Sequence, residues 1–519
     1  MTSRGAYFHT SRALPGSHGR QPKLFLQLKG ASLAGTTATI AIACVVAQFA
    51  LGTDPVVLAL ATIACLAGLA GVRIVGAYHA AGWLVFFFTL GNVIVALVAK
   101  TILLQPLESN LYAPFDSFLV LAAGSVVLLI ALVFSVTIPV GETLFRPVRN
   151  VRLLRWLSNS AFALGTMLWY LNRLFQDPQG SGFGGLAVFW NLVLMAVIAH
   201  TEMVLEQSDG RRSVDAHLLL ILVALVAVGL IDNSKTEVAL PIVAYFATSL
   251  FYRRGITLRQ AAAGLVGLIL MASLVGPMIH IHRSLGIQDL PWQERVALIE
   301  RGVKDASVVG RLELYKELSY QQFLSGYYNY FGEGRGQMLV GRYASIQQID
   351  PVIANVSRHG TQGGAVIWPF FTRLLPSLVY PDKPRYIESY YLLVHLGLID
   401  PEGGKYPTVP IVAQSYAGYG ATGLLVIPFL TFLGFMLALK KLGWRLYRNI
   451  FATFFFSVFT VVYANQGDLG QYAGSVLRSF PLLAAVLWLS VCMYRIRIRY
   501  HPSVPQAAAS LAVESTPRP

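Results

Sequence analysis

Apolar residues gather in runs near the roughly 20 positions that a helix needs to cross about 30 Å of hydrocarbon. The runs fall at 33 to 51, 55 to 72, 81 to 104, 118 to 138, 156 to 175, 184 to 205, 216 to 231, 236 to 252, 261 to 279, 416 to 439, 450 to 464 and 475 to 494. This pattern predicts an all-α polytopic membrane protein of about twelve spans, within roughly ten to thirteen. The seventh and eighth runs are short and joined by only Asp232, Asn233, Ser234 and Lys235. A re-entrant pair is therefore an alternative there. The largest interruption is the stretch 280 to 415, far longer than an ordinary connection, so it reads as a functional element.

Charge gives the direction of the spans. Alternate connections carry Arg73; Arg146, Arg149, Arg152 and Arg155; Arg211 and Arg212; Arg253, Arg254 and Arg259; Lys440, Lys441, Arg445 and Arg448; and Arg495, Arg497 and Arg499. The connections between them carry Asp54, Glu108 and Asp116, Asp177 with Arg173, and Asp468. By the positive-inside rule both termini lie in the cytoplasm and the long loop lies outside. The chain then divides into a basic N-terminal segment (1–32), nine spans (33–279), the large extracytoplasmic loop (280–415), three spans (416–494) and a cytoplasmic, disordered tail (495–519).

Composition agrees: 55% of residues are hydrophobic and 13% charged, against roughly 25% charged in soluble domains. The formal charge of +15 sits in loop clusters rather than a continuous basic face, so nucleic acid is not an expected partner. Cys44, Cys65 and Cys492 all lie in apolar runs, which supports neither a disulfide framework nor a thiolate metal site.

The outer loop carries the candidate chemistry. Its segment Gln293 to Phe323 has amphipathic spacing and predicts a helix lying on the membrane surface. Aromatics follow, among them Tyr315, Tyr320, Tyr327, Tyr328, Tyr330, Phe331 and Tyr343, then Trp368, Phe370, Phe371, Tyr380, Tyr386, Tyr390, Tyr391 and Tyr406. They read either as an interfacial belt or as a sugar-stacking cleft. Two basic clusters, Arg335, Arg342, Arg358 and His359, then Arg373, Lys383 and Arg385, could hold a lipid pyrophosphate through bidentate guanidinium contacts. Pairing with headgroups or local carboxylates is the alternative for each. No convincing metal set is present: Asp400-Pro-Glu402 reads as a turn, and His280 and His282 are spaced off a common helical face. Gly332-Glu-Gly-Arg-Gly336 lacks the lysine and strand context of a nucleotide cradle.

Leu375 to Pro384 (Leu-Pro-Ser-Leu-Val-Tyr-Pro-Asp-Lys-Pro), Tyr406 to Pro410 (Tyr-Pro-Thr-Val-Pro) and Gln414 to Leu424 (Gln-Ser-Tyr-Ala-Gly-Tyr-Gly-Ala-Thr-Gly-Leu) together resemble the C-terminal signature of bacterial O-antigen and exopolysaccharide repeat-unit polymerases of the Wzy type. The span count, the late outer loop and the turn Asn233-Ser234-Lys235 are similar to that family more loosely. Gln414 stands where many members carry an acidic residue.

The resemblance implies an architecture like that of lipid-donor (GT-C-like) membrane glycosyltransferases in the bacterial inner membrane, with the large loop periplasmic. The implied donor is a growing glycan on undecaprenyl pyrophosphate and the acceptor a lipid-linked repeat unit. No cofactor or metal is expected. Expected partners are the bilayer, the lipid-linked oligosaccharides and a flippase and chain-length regulator of the same pathway. Such chemistry asks for neutralisation of the departing pyrophosphate, which Arg or Lys supplies, and for a base near the attacking hydroxyl, which a carboxylate or His359 supplies. Arg342, Arg358, His359 and Arg373 are the candidate catalytic residues on this reading. Lys235, Arg311, Arg335, Lys383, Arg385 and Tyr416 are the candidate pyrophosphate- or glycan-binding residues. Three rivals stay open: an O-antigen ligase using the same donor, a transporter or flippase of lipid-linked sugars, and a scaffold of an export complex.

Overall fold

The computed structural model describes residues 27–28, 30–174, 186–232, 234–252, 256–257, 330–331, 344–368, 370–371, 388–398, 409–460 and 467–500, with isolated positions at 464 and between 260 and 294. In chain order the helices are α1 (Gly30–Ala50), α2 (Pro55–Val75), α3 (Ala80–Ile102), α4 (Pro114–Thr137), α5 (Val151–Leu174), α6 (Val188–Gln207), α7 (Ala216–Ile231), α8 (Lys235–Phe251), α9 (Ile346–His359), α10 (Glu388–His395), α11 (Ile411–Leu442), α12 (Ile450–Thr460) and α13 (Leu469–Arg497). Among the described residues the extended pairings are a two-residue antiparallel one, Gln27–Leu28 with Ile256–Thr257, and an isolated antiparallel bridge between His79 and Arg445.

The fold is an all-helical polytopic membrane bundle. Among the described helices, α1, α2, α3, α4, α6, α11 and α13 are long and apolar enough to cross a membrane. The helices α7, α8 and α12 are apolar but shorter. Helix α5 has 24 residues but carries the exposed Arg152 and Arg155 in its first turns. Each expected span finds its helix except 261 to 279, which lies largely outside the described residues together with the expected surface helix Gln293 to Phe323.

Local chemistry starts the helices where the sequence changes character. Pro55 and Pro114 open α2 and α4, where a missing N–H costs nothing. Asp54 accepts from the Val56 and Val57 amides, Asp215 caps α7 through Leu218 N, and Asp468 forms a reciprocal capping box with Gln471. Each removes a helix-end donor from hydrocarbon that offers it no partner.

Small residues then let the helices close. A Cβ on Gly82 of α3 would stand 2.8 Å from the Gly71 carbonyl of α2, and one on Gly229 of α7 would stand 2.8 Å from the Val238 nitrogen of α8. In a membrane, packing of this kind replaces the hydrophobic drive that lipid cannot supply. The core is aromatic where α11 meets α13: the rings of Phe432 and Phe435 lie 4.7 and 5.2 Å from that of Tyr472. Phe480 packs on Phe435, Phe455 and Phe459.

The two ends of the bundle differ. One end gathers Asp54, Glu108, Asp116 and Asp468 with α9 and α10 of the long loop, and is called the loop end below. The other, the basic end, gathers Arg73, Arg146, Arg149, Arg152, Arg155, Lys440, Lys441, Arg445, Arg448, Arg495 and Arg497. This segregation matches the charge alternation along the sequence.

Candidate functional site at the loop end

Helix α9 carries two of the candidate residues, and its inner face is anchored by a buried acid. Asp350 is fully buried. Its carboxylate accepts from Tyr112 N at 2.7 Å, Ala113 N at 2.9 Å and Ser117 Oγ at 2.9 Å, so a residue of the long loop caps the N-terminus of α4. Burial pushes this carboxyl above its usual range, while the three donors pull it back. Ser357, one turn before the end of α9, donates to Asp116 Oδ2 at 3.1 Å. Asn355 donates to the Leu396 carbonyl just after α10.

A second anchor is a buried cation. Lys100, fully buried at the end of α3, donates to Gln105 Oε1, Ser109 O and Ser109 Oγ at 2.7 to 2.9 Å. Its Nζ also lies 4.2 Å from the Tyr330 ring centroid. Tyr330 donates to the Leu107 carbonyl at 2.6 Å, and Phe331 O accepts from Gln105 Nε2. Both rings are at most 1% exposed. This corrects the sequence reading for these two aromatics. Neither lines an interfacial belt or an open cleft, because both rings are buried against the Lys100 ammonium while their carbonyls accept from Asn110 and Gln105.

Helix α9 ends at Gly360, whose φ of +82° suits glycine. The following turn lies on a break in α11. Tyr419 and Gly420 leave helical geometry, Gly420 with φ +61°. The break turns the Ala417 carbonyl away from its own helix, and Gln362 N donates to it at 2.8 Å. Gly418 lets the turn approach: a Cβ there would meet Val366 and the Gly363 carbonyl at 3.5 and 3.6 Å. A Cβ at Gly423 would stand 2.2 Å from the Ser415 carbonyl. Gly420, by its backbone conformation, and Gly423, by the Ser415 carbonyl beside it, are thus required by the break in α11.

Below this seat lie polar groups without partners. Gln414 Oε1 accepts from Leu469 N at 3.0 Å, joining the N-termini of α11 and α13. Its Nε2 and the Ser415 hydroxyl are buried with no hydrogen bond, as are the hydroxyls of Ser457 and Thr460. Ser457 and Thr460 sit in a π-helical turn of α12 (Phe456–Thr460), and similar turns interrupt α3 (Leu90–Ile94) and α13 (Ser475–Ser479). Such widened turns free backbone groups inside a helix and recur at functional sites. Unsatisfied buried polar groups cost about 1–3 kcal/mol each, and at the start of α11 two adjacent residues, Gln414 and Ser415, carry such groups.

The structure places the candidates unevenly. Arg358 and His359 are neighbours in the last turn of α9, both exposed, and Tyr416 is half-buried in the first turns of α11. The Gln362 to Ala417 bond brings the elements carrying these three together. A cation in the last helical turn is also favoured by the helix dipole alone. Lys235 opens α8 at the tip of the α7–α8 hairpin, which Trp169 ties to α5 by donating to Asp232 at 2.7 Å. Arg311, Arg335, Arg342, Arg373, Lys383 and Arg385 lie outside the described residues. Among the described residues no cluster of three or more His, Cys, Asp or Glu side chains could hold a metal ion.

Asp350 was not among the candidates from sequence; its signal is an acid on the apolar face that Ile346, Ile349, Ile353 and Val356 form. Comparison with known proteins found no matching family model, curated protein or solved structure.

Proposed function

We propose that this chain is a membrane glycosyltransferase that polymerises lipid-linked oligosaccharide repeat units, carrying the growing glycan from undecaprenyl pyrophosphate to a new repeat on the periplasmic face of the inner membrane. The observation that carries the reading is the seat of α9 on the broken start of α11. The segment that resembles the polymerase signature forms the break, and the loop docked on it presents Arg358 and His359. In this reading Arg358 neutralises the departing pyrophosphate, a task a guanidinium performs by paired N–H contacts. His359 takes the proton of the attacking hydroxyl, and Tyr416 with the Gln414 Nε2 and Ser415 hydroxyl contacts glycan. The other basic residues of the loop, Arg342 and Arg373 among them, share the anionic group.

A second reading has its own support. Broken helices and unpartnered polar groups within spans are the means by which transporters hold polar cargo, so a flippase of the same lipid-linked sugars fits the three π-helical turns. Deleting the protein in its host and measuring glycan length separates these readings. Accumulation of single-repeat surface glycan supports the polymerase. Lipid-linked repeats trapped in the cytoplasmic leaflet support the flippase, and complete lipid-linked polymer that fails to reach its final attachment supports the ligase.

A further inference from the structure

We infer that the groove between α5 and α13 at the basic end is a binding site for an anionic diacyl phospholipid, whose phosphate is held by Arg155 and Arg497. The two helices meet through polar contacts rather than a closed apolar seam. Trp156 Nε1 donates to the Ser490 carbonyl at 3.1 Å, and the Ser160 and Ser490 hydroxyls are 3.1 Å apart. Trp156 also packs on Tyr494 with centroids 6.4 Å apart. Above this contact the Arg497 guanidinium lies 5.2 Å from the Trp156 ring. The ring face therefore fixes the cation's position and lowers the entropy lost when it grips an anion.

Basic residues of both helices are exposed at this level. Arg152 and Arg155 are exposed in the first turns of α5, and Arg495 and Arg497 are exposed in the last turns of α13. Basic pockets between spans at such a level recruit acidic headgroups. Directly along α13 from these arginines, Leu489, Met493 and Ile496 form a stripe at steps of four and three residues, each more than half exposed at 51, 53 and 54%. That stripe offers about 10 Å of helix for the upper part of an acyl tail to lie against. Charge and apolar surface thus meet in the order of a phospholipid, head at the arginines and tails along α13. A soluble phosphate would use only the first half.

The test uses the full chain purified into nanodiscs of phosphatidylcholine alone or with phosphatidylglycerol, then released for native mass spectrometry to count retained lipid. Wild type is expected to retain phosphatidylglycerol selectively and to unfold at a higher temperature when it is present. R155Q/R497Q should retain it roughly thirtyfold more weakly, the equivalent of about 2 kcal/mol for two arginines near a membrane surface. R211Q/R212Q, which removes the same charge elsewhere at this end, should behave as wild type. Equal retention of phosphatidylcholine, equal loss in both double variants, or unchanged retention in R155Q/R497Q would overturn the proposal. Protection by glycerol phosphate alone would overturn it too, because it would make the groove a site for a free anion.

Discussion

Helix α4 is capped at both ends by charged side chains from distant parts of the chain, and the two caps differ in kind. At the loop end Asp350 receives the Tyr112 and Ala113 amides and the Ser117 hydroxyl. At the basic end Lys440 donates to the carbonyls of Ser135, Val136 and Ile138 at 2.8 to 3.0 Å. Both obey the helix dipole, an anion at the N-terminus and a cation at the C-terminus. Asp350, however, is wholly buried, whereas Lys440 is half-exposed and also lies 4.9 Å from the Trp444 ring. A buried cap is costly to form and costly to lose. The loop end therefore holds α9 in one place, while the basic end is tied by contacts that water and headgroups can replace.

Removing the buried cap should have the largest effect. Asp350→Ala strands two amides and a hydroxyl, so a loss on the order of 3 kcal/mol is expected, read as a lower unfolding temperature in detergent. Because α9 carries Arg358 and His359, glycan length should fall in step even where abundance is restored. Lys100→Met comes next, at about 2 kcal/mol, since Gln105 Oε1 and the Ser109 oxygens lose their buried donor. Full stability of Asp350→Ala beside a damaging Lys440→Met would reverse the comparison of the two ends. Lys440→Met itself should cost only about 1 kcal/mol.

The smallest effect concerns pH. His79, beside the Trp444 ring at 5.1 Å, is pushed down from 6.5 to about 4 by burial and by the nearby Arg445 and Lys440. A depressed folded-state value means the neutral ring contributes stability above 6.5 that is lost as pH falls toward about 4. His79→Phe keeps an aromatic ring and removes the titration, so its unfolding temperature should fall less than that of wild type across that window. Parallel curves for the two proteins would remove His79 from the account of the basic end.

Much of the bundle was legible from the apolar runs, because hydrocarbon enforces helices and a minimum length. The residues at 33 to 51, 55 to 72 and 416 to 439 show this most plainly. The site was less legible for a physical reason. Asp350 and Lys100 act through partners more than two hundred positions away in sequence, Tyr112 and Tyr330, and no local period reports such pairings. Tyr330 and Phe331 looked like surface aromatics because composition gives no sign of a buried ammonium beneath them. The glycines of 418 to 423 were visible as a motif, but only the positive φ at Gly420 and the Ser415 carbonyl beside Gly423 explain why those two are glycines.

The central claim is that the loop end handles a lipid pyrophosphate through α9, and Arg358 tests it most directly. In a deletion host, Arg358→Ala expressed at wild-type membrane abundance should cut polymerisation about a hundred- to a thousandfold, the scale for losing one transition-state donor. Arg358→Lys should restore little of it, because a point charge does not reproduce the paired guanidinium contact. Short glycans from both variants are the predicted result. Full-length glycan from Arg358→Ala would contradict it, leaving Arg358 a helix-end cation and the seat on α11 a structural joint.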